Sequence, residues 1–181
     1  MATHIFKSKR LGFRNFTDAD IPPFAKLCAN PEVMEFFPAT LNLEESTSLV
    51  RRIQAKFAKE NYCYFAVDRL EDGAFIGFIG ITSQTYESPI TPCIDIGWRL
   101  DKAFWGHGYA TEGAKRCLEF AFDEMNIKEI RSVASITNVK SIHVMEKIGM
   151  KKLQNFLHPA LKGFPHLEEC VCYSLKNNNI L

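Results

Sequence analysis

Hydrophobic and polar positions along the chain switch between a two-residue and a nearly four-residue period, and the switches mark out the elements. Lys9–Phe16 reads as a first strand, stopped by "TDAD". There Thr17 and Asp20 have capping-box spacing and open a short helix reaching about Asn30. "NPEVMEFFP" is a turn-rich connection. From about Glu44 to Glu60, Leu49, Ile53 and Phe57 recur every four residues, the stripe of an amphipathic helix. Three apolar, β-rich runs follow: Tyr62–Asp68, Ala74–Thr82 and Cys93–Leu100. Asp72–Gly73 reads as the hairpin turn between the first two. "FIGFIGI" is apolar on both faces, which predicts a central strand. Ala110, Ala114, Cys117, Leu118, Ala121, Phe122 and Met125 then share one helical face. A strand near Glu129–Ser135 and a helix near Val139–Ile148 come next, the helix closed by Gly149. Two last strands, about Lys152–Phe156 and Glu169–Leu175, flank a loop holding "HPALKGFPH". The order β-α-α-β-β-β-α-β-α-β-β predicts an α+β sandwich.

Composition narrows the function classes. The sequence has no internal repeat, low-complexity tract or linker that would divide it, so residues 1–181 are expected to form a single domain. Twenty-two Lys and Arg against 21 Asp and Glu leave a net charge of +1, which argues against nucleic-acid and membrane partners. No run approaches the ~18 apolar residues of a membrane span. "MATHIFKSKRLGF" lacks the apolar core of a signal peptide. The six cysteines are scattered through apolar segments and read as reduced packing residues, which implies a cytoplasmic protein. Cys170 and Cys172 alternate along a strand without a second pair at zinc spacing, so packing is the favoured reading and no metal is expected.

The chemistry gathers at Trp105–Lys115, "WGHGYATEGAK", where Gly106, Gly108 and Gly113 lead into a helix. Glycines let successive N–H groups curl into one concavity, and the positive end of the following helix adds to their field. The alternative is a tight strand-to-helix turn with no ligand. Three phosphate loops can be tested by spacing. The Walker loop fits Gly108 and Gly113 but meets Ala114 where its Lys must stand. The dinucleotide fingerprint fits Gly106 and Gly108 but meets Thr111 at its third glycine, and the preceding strands read as an antiparallel meander. The third is the pyrophosphate loop of the GNAT acetyltransferases, R/Q-x-x-G-x-G/A. "WGHGYA" fits it at Gly108 and Ala110, with Trp105 in place of the Arg or Gln.

With "IGWRLDKAFWGHGYATEG" and "NVKSIHVMEKIGM", the chain resembles the GNAT superfamily, and in particular its ribosomal-protein N-terminal acetyltransferase branch. The opening "KRLGFRNFTDADIPPFAKLCANPEVMEFFP" and the closing "VCYSL" extend the similarity over nearly the whole chain. The resemblance implies a GNAT fold, with a mixed, mostly antiparallel central sheet of about seven strands flanked by about four helices. It also implies acetyl transfer from the cosubstrate acetyl-CoA to a primary amine by direct attack, without a metal. Coenzyme contacts are expected from Trp105, Gly106, His107, Gly108, Tyr109, Ala110 and Thr111 of the loop. Ile96, Gly97, Trp98, Arg99 and Leu100 are expected along the pantetheine arm, bonding it through backbone groups, with a backbone N–H near Trp98 as an oxyanion donor. Asn138 and Ser141 match the coenzyme-contacting Asn and Ser of the family's fourth helix. His107 either meets a phosphate or stands solvated in the loop.

For catalysis, Asp95 in "CIDIGW" is the favoured base, since alternation sets it on the strand face opposite Ile94 and Ile96. The competing reading is a strand carboxylate paired with a cation. Many GNAT enzymes carry a Tyr acid four residues after the helix Ser, and here Met145 stands there. Ser141, or a water it holds, is the nearest substitute, against a plain helix-surface hydroxyl. Glu112, in the first turn after the loop, reads as structural rather than catalytic. The acceptor is expected to be a peptide or protein N-terminal α-amine. A small amine of aminoglycoside or polyamine type is the alternative acceptor, and a non-catalytic acetyl-CoA-binding module the alternative function. A monomer and a homodimer both fit the sequence.

Overall fold

The protein is described by a computed structural model over residues 3–177. Its eight-stranded sheet follows the order β1-β2-β3-β4-β5-β6-β8-β7. The strands are β1 (Phe6–Lys7), β2 (Leu11–Arg14), β3 (Tyr64–Arg69), β4 (Phe75–Gln84), β5 (Cys93–Leu100), β6 (Glu129–Ser135), β7 (Lys151–Leu157) and β8 (Glu169–Lys176). The helices are α1 (Ile21–Cys28), α2 (Leu43–Glu60), α3 (Tyr109–Glu119), α4 (Val139–Lys147) and the short α5 (Pro165–Glu168). Every strand pair is antiparallel except β5–β6.

The eighth strand comes from the start of the chain, where the sequence predicts one strand across Lys9–Phe16. The structure makes a hairpin there instead, with Phe6 opposite Phe13. The polar turn Ser8–Arg10 hides a two-residue strand from any alternation pattern. Phe6 is held by its rings, stacked on Phe13 at 4.6 Å and on Phe120 at 4.4 Å. The capping spacing at Thr17 is realised by Asp20, whose carboxylate accepts from the Thr17 N–H at 2.7 Å and hydroxyl at 2.9 Å. A single turn of 3-10 helix (Asp18–Asp20) intervenes before α1. Asn42 and Glu45 form a second, reciprocal box at the start of α2.

The sheet carries a core on each face. Phe16, Phe24, Leu27, Val50 and Ile53 seat α1 and α2 on one. Ile79, Ile96, Ala114, Leu118, Met145 and Ile148 seat α3 and α4 on the other. Gly113 explains the third glycine of the loop motif: a Cβ there would lie 2.3 Å from Ile79 Cδ1, so its absence lets α3 press onto β4. β4 is central and buried from Ile76 to Thr82, as its two-sided apolar run predicts. Cys170 and Cys172 pack with Ile90 and Phe156, consistent with a packing role. Among the described residues, no helix is long and apolar enough to cross a membrane.

Candidate active site

The site grows from the way β5 parts from β6. β5 pairs with β4 along its full length, from Cys93 opposite Gln84 to Leu100 opposite Gly77. Its parallel ladder with β6 holds a single partnered pair, Asp95 opposite Arg131. Beyond it the Ile96 carbonyl accepts from Ser132 Oγ at 2.9 Å, a side chain standing where a strand N–H would be. At the far end the Leu100 carbonyl accepts from the Trp105 indole N–H at 2.9 Å. Main-chain groups alternate in direction along a strand. Ile96, Trp98 and Leu100 therefore turn toward the gap, while Gly97 and Arg99 turn toward β4. Of the gap-facing residues, Trp98 lies between the two capped carbonyls and, among the described residues, beyond the one partnered pair of the β5–β6 ladder. Alternation also divides the expected coenzyme residues by side chain: Ile96, Trp98 and Leu100 face the α3 side and Gly97 and Arg99 the α1–α2 side.

The loop after β5 closes the gap at one end. Gly106 and Gly108 have φ of 79° and 77°, a left-handed conformation that side chains disfavour. The chain curls there into α3, whose first internal bond runs from the Glu112 N–H to the Gly108 carbonyl. Among the described residues, the consecutive N–H groups of Gly106, His107, Gly108, Tyr109, Ala110 and Thr111 donate to no protein acceptor. Such an array, with a helix N-terminus behind it, suits a pyrophosphate. His107 is exposed, and its ring stacks near Tyr109 at 5.7 Å. Tyr109 is buried beneath the Arg10 guanidinium, so it offers the loop its backbone rather than its ring.

Asn138 caps α4: its Oδ1 accepts from the Ser141 N–H at 3.1 Å, and Ser141 is half-buried in the first turn. Met145 is 1% exposed in the main core. Lys140, which no expectation covered, sets its ammonium 4.6 Å over the Trp105 ring and so brings a cation to the loop. Its signal was a basic residue inside the "NVKS" motif. Glu112 faces away from the chemistry. Its carboxylate accepts from Ser8 Oγ, the Arg10 N–H and Arg10 Nε at 2.6–2.8 Å, tying the β1–β2 turn to α3.

On the other face of β5, Asp95 is half-buried and, among the described residues, has no cationic partner. Its Oδ1 accepts from Gln84 Nε2 at 3.2 Å and more weakly from the Tyr64 hydroxyl at 3.4 Å, while Oδ2 stays open. Burial pushes the carboxyl up to about 6, against the pull of those two donors and the Lys56 charge. Burial and then the Asp95 charge hold the Tyr64 hydroxyl well above its ordinary range, so it remains a donor. Tyr86 is raised for the same reasons, and His158 of the "HPALKGFPH" segment lies against its ring at 4.8 Å. Tyr64 and Gln84 had no sequence signal, because only the strand register brings them to Asp95.

A strand splayed from its parallel neighbour, closed by a glycine loop that opens a helix, with a raised carboxylate on the opposite face, defines a coenzyme A-dependent acyltransferase. The chain belongs to the GNAT acetyltransferases: the family described as Acetyltransferase (GNAT) domain matches residues 10–151. It is 30% identical over 149 residues to the uncharacterized N-acetyltransferase YnaD of Bacillus subtilis, spanning 80% of this chain and 81% of that one. A GNAT-family acetyltransferase from Bacillus anthracis superposes with a TM-score of 0.78 at 26% identity, covering 94% and 97% of the two chains. An acetyltransferase from Agrobacterium tumefaciens gives 0.77 at 26%, covering 97% and 95%. The protein is an N-acetyltransferase that uses acetyl-CoA, and the expected fold holds, with eight strands where about seven were predicted.

Proposed function

We propose that this N-acetyltransferase acts on the α-amine of a peptide or protein N-terminus. The observation that carries the reading is Asp95, a carboxylate poised near 6 with one oxygen open and, among the described residues, no ion-pair partner. An α-amine has pKa ~8 and a lysine ~10.4, so moving a proton to Asp95 is uphill by about 3 kcal/mol from the first and about 6 from the second. The relative YdaF of Bacillus subtilis, named a putative ribosomal N-acetyltransferase, supports the same acceptor; it is 29% identical over 80 residues, 44% of this chain and 42% of that one.

In this reading acetyl-CoA supplies an acetyl thioester. The free N–H groups from Gly106 to Thr111 bind the pyrophosphate, with Lys140 beside them. The N–H and C=O of Trp98 hold the arm between β5 and β6, and that N–H is the donor available to a carbonyl oxygen whose charge grows during transfer. Asp95 Oδ2 takes the proton of the ammonium form and passes it to solvent, while Tyr64 and Gln84 hold the carboxylate in place. The neutral amine attacks the thioester carbonyl, the C–S bond breaks, and the proton the nitrogen loses on acylation leaves with coenzyme A as its thiol. Ser141, half-buried in the first turn of α4, is the hydroxyl nearest in role to the missing acid.

Thiol release from acetyl-CoA, read with a panel of amines, tests this. Short peptides with free N-termini are expected to turn over at least about tenfold faster than the same peptides blocked there and offering only lysine. Mass spectrometry places the acetyl group. Acetylation on lysine, or turnover of small polyamines alone, would overturn the N-terminal assignment; coenzyme binding without turnover of any amine would favour a binding module.

A further inference from the structure

Arg99 is buried at 9% exposure and, among the described residues, has no carboxylate near it. Each other arginine either faces a carboxylate or, as Arg52, stands in solvent. Arg14, similarly enclosed, binds both Asp20 and Asp68. What Arg99 has is a contact from Nη1 to Cys28 Sγ at 3.3 Å and two aromatic rings, Phe37 at 4.1 Å and Phe78 at 5.5 Å. Its Nε is sealed in without a partner, and its Nη2 has none either but is not sealed. A thiol is a weak acceptor, and stacking offsets only part of the lost hydration. A buried guanidinium held in this way lacks its counter-ion.

Its position says where that ion comes from. Arg99 lies on the same face of β5 as Asp95, four residues on, so the two Cα atoms stand roughly 13 Å apart along the strand. Between them is Gly97, with the Tyr64 ring against it, and Tyr64 feels the charges of both. Phe37, which covers Arg99, is 39% exposed and belongs to the connection between α1 and α2. The guanidinium therefore sits at the far end of the face that carries the proposed base, under a ring that is itself partly exposed. The guanidinium lies against two rings, and its Nη2, unpartnered and not sealed, is the donor a carboxylate entering from the Phe37 side would meet.

We propose that Arg99 is the anion anchor of the acceptor site, so that the amine acetylated by this protein carries a carboxylate several bonds from its nitrogen. The proposal rests on the N-acetyltransferase reading of the Asp95 face. The carboxylate is either the free C-terminus of a very short peptide or an acidic side chain near the N-terminus of a longer one.

Paired acceptors test it: Ala-Ala-Ala against its C-terminal amide, and amidated Ala-Glu-Ala against amidated Ala-Gln-Ala. Turnover and the melting-temperature rise of the coenzyme A-loaded protein are both recorded. In at least one pair the carboxylate is expected to win by about tenfold or more in kcat/KM, and that pair identifies its source. Arg99→Met should bring the ratio close to one while melting no lower than wild type, because an apolar chain suits that buried position better than an unpaired charge. Arg99→Lys, which keeps the charge but not the fork, should fall between. If no amine is acetylated but carboxylates still raise the melting temperature more than amides do, the anchor stands and the transfer reading fails. Equal response to both members of each pair, in turnover and in melting, overturns the proposal. So does an Arg99→Met protein that keeps the preference, or that melts well below wild type while Arg99→Lys does not.

Discussion

Asp95, the base of the proposed mechanism, is costly to the fold. Its ionisation moves from 3.8 to about 6, so between those values the folded protein binds more protons than the unfolded chain. Stability then falls as pH rises from about 4 to about 6, and above 6 the full cost is present, at most about 3 kcal/mol for a group partly open to water. Asp95→Asn keeps an oxygen for Gln84 and Tyr64 to donate to. It is expected to melt higher than wild type at pH 7.5, the gap closing toward pH 4. Its kcat at pH 7 should fall by more than tenfold, with the loss shrinking toward pH 9 as the amine deprotonates unaided. The wild-type kcat/KM should drop about tenfold per pH unit below 6. Full kcat in the variant at pH 7 would make Asp95 a structural carboxylate.

Within α3 and its loop, two neighbouring positions are expected to fail in different ways. Gly108 holds φ at 77°, and the nearest atom to the place a Cβ would take is Arg10 Nη2 at 3.7 Å. Gly108→Val is therefore opposed by backbone strain rather than by a clash. The left-handed conformation costs a side chain about 1–2 kcal/mol, and relief of that strain would turn the loop amides out of their shared concavity. Acetyl-CoA affinity should fall at least tenfold in calorimetry. Glu112→Gln instead removes the charge that joins Ser8 and Arg10 to the helix start, so denaturant unfolding should show a loss of about 1–2 kcal/mol with coenzyme affinity little changed. A Gly108→Val protein that binds normally would sink the phosphate assignment. A Glu112→Gln protein that loses turnover without losing stability would make that carboxylate functional.

Over the whole molecule, the sheet separates two approaches to one strand. The residues proposed to hold the coenzyme lie where β5 leaves β6 on the α3–α4 side, and Asp95 faces the α1–α2 side. Burial pushes the thiols of Cys93, Cys170 and Cys172 up to about 11 and that of Cys117 higher still, so these thiols supply no thiolate at neutral pH to carry an acetyl group. The proposed direct attack then needs both substrates present together. Initial-rate lines at several fixed acceptor concentrations should intersect rather than run parallel, and acetyl-CoA alone should leave no acetylated protein in a mass spectrum. Parallel lines with an acetyl-cysteine adduct would refute this.

Local physics made much of this legible from the residues alone. The Cys93–Leu100 and Glu129–Ser135 strands begin and end where alternation and flanking turns place them, and the α2 stripe and the glycine loop are equally local patterns. Short-range sterics and backbone hydrogen bonding dictate such features, so neighbours in sequence suffice to read them. The two-residue β1 escaped because its support is Phe120, more than a hundred residues away. The same holds for the site. Asp95, Trp98 and the loop could be named from the chain, but the raised carboxyl, its Tyr64 and Gln84 donors, the Lys140 cation over Trp105 and the unpaired Arg99 exist only once strand register and helix docking set distant segments against each other. Burial and the choice of neighbours decide whether a charge is solvated, paired or poised, and those belong to the tertiary structure alone.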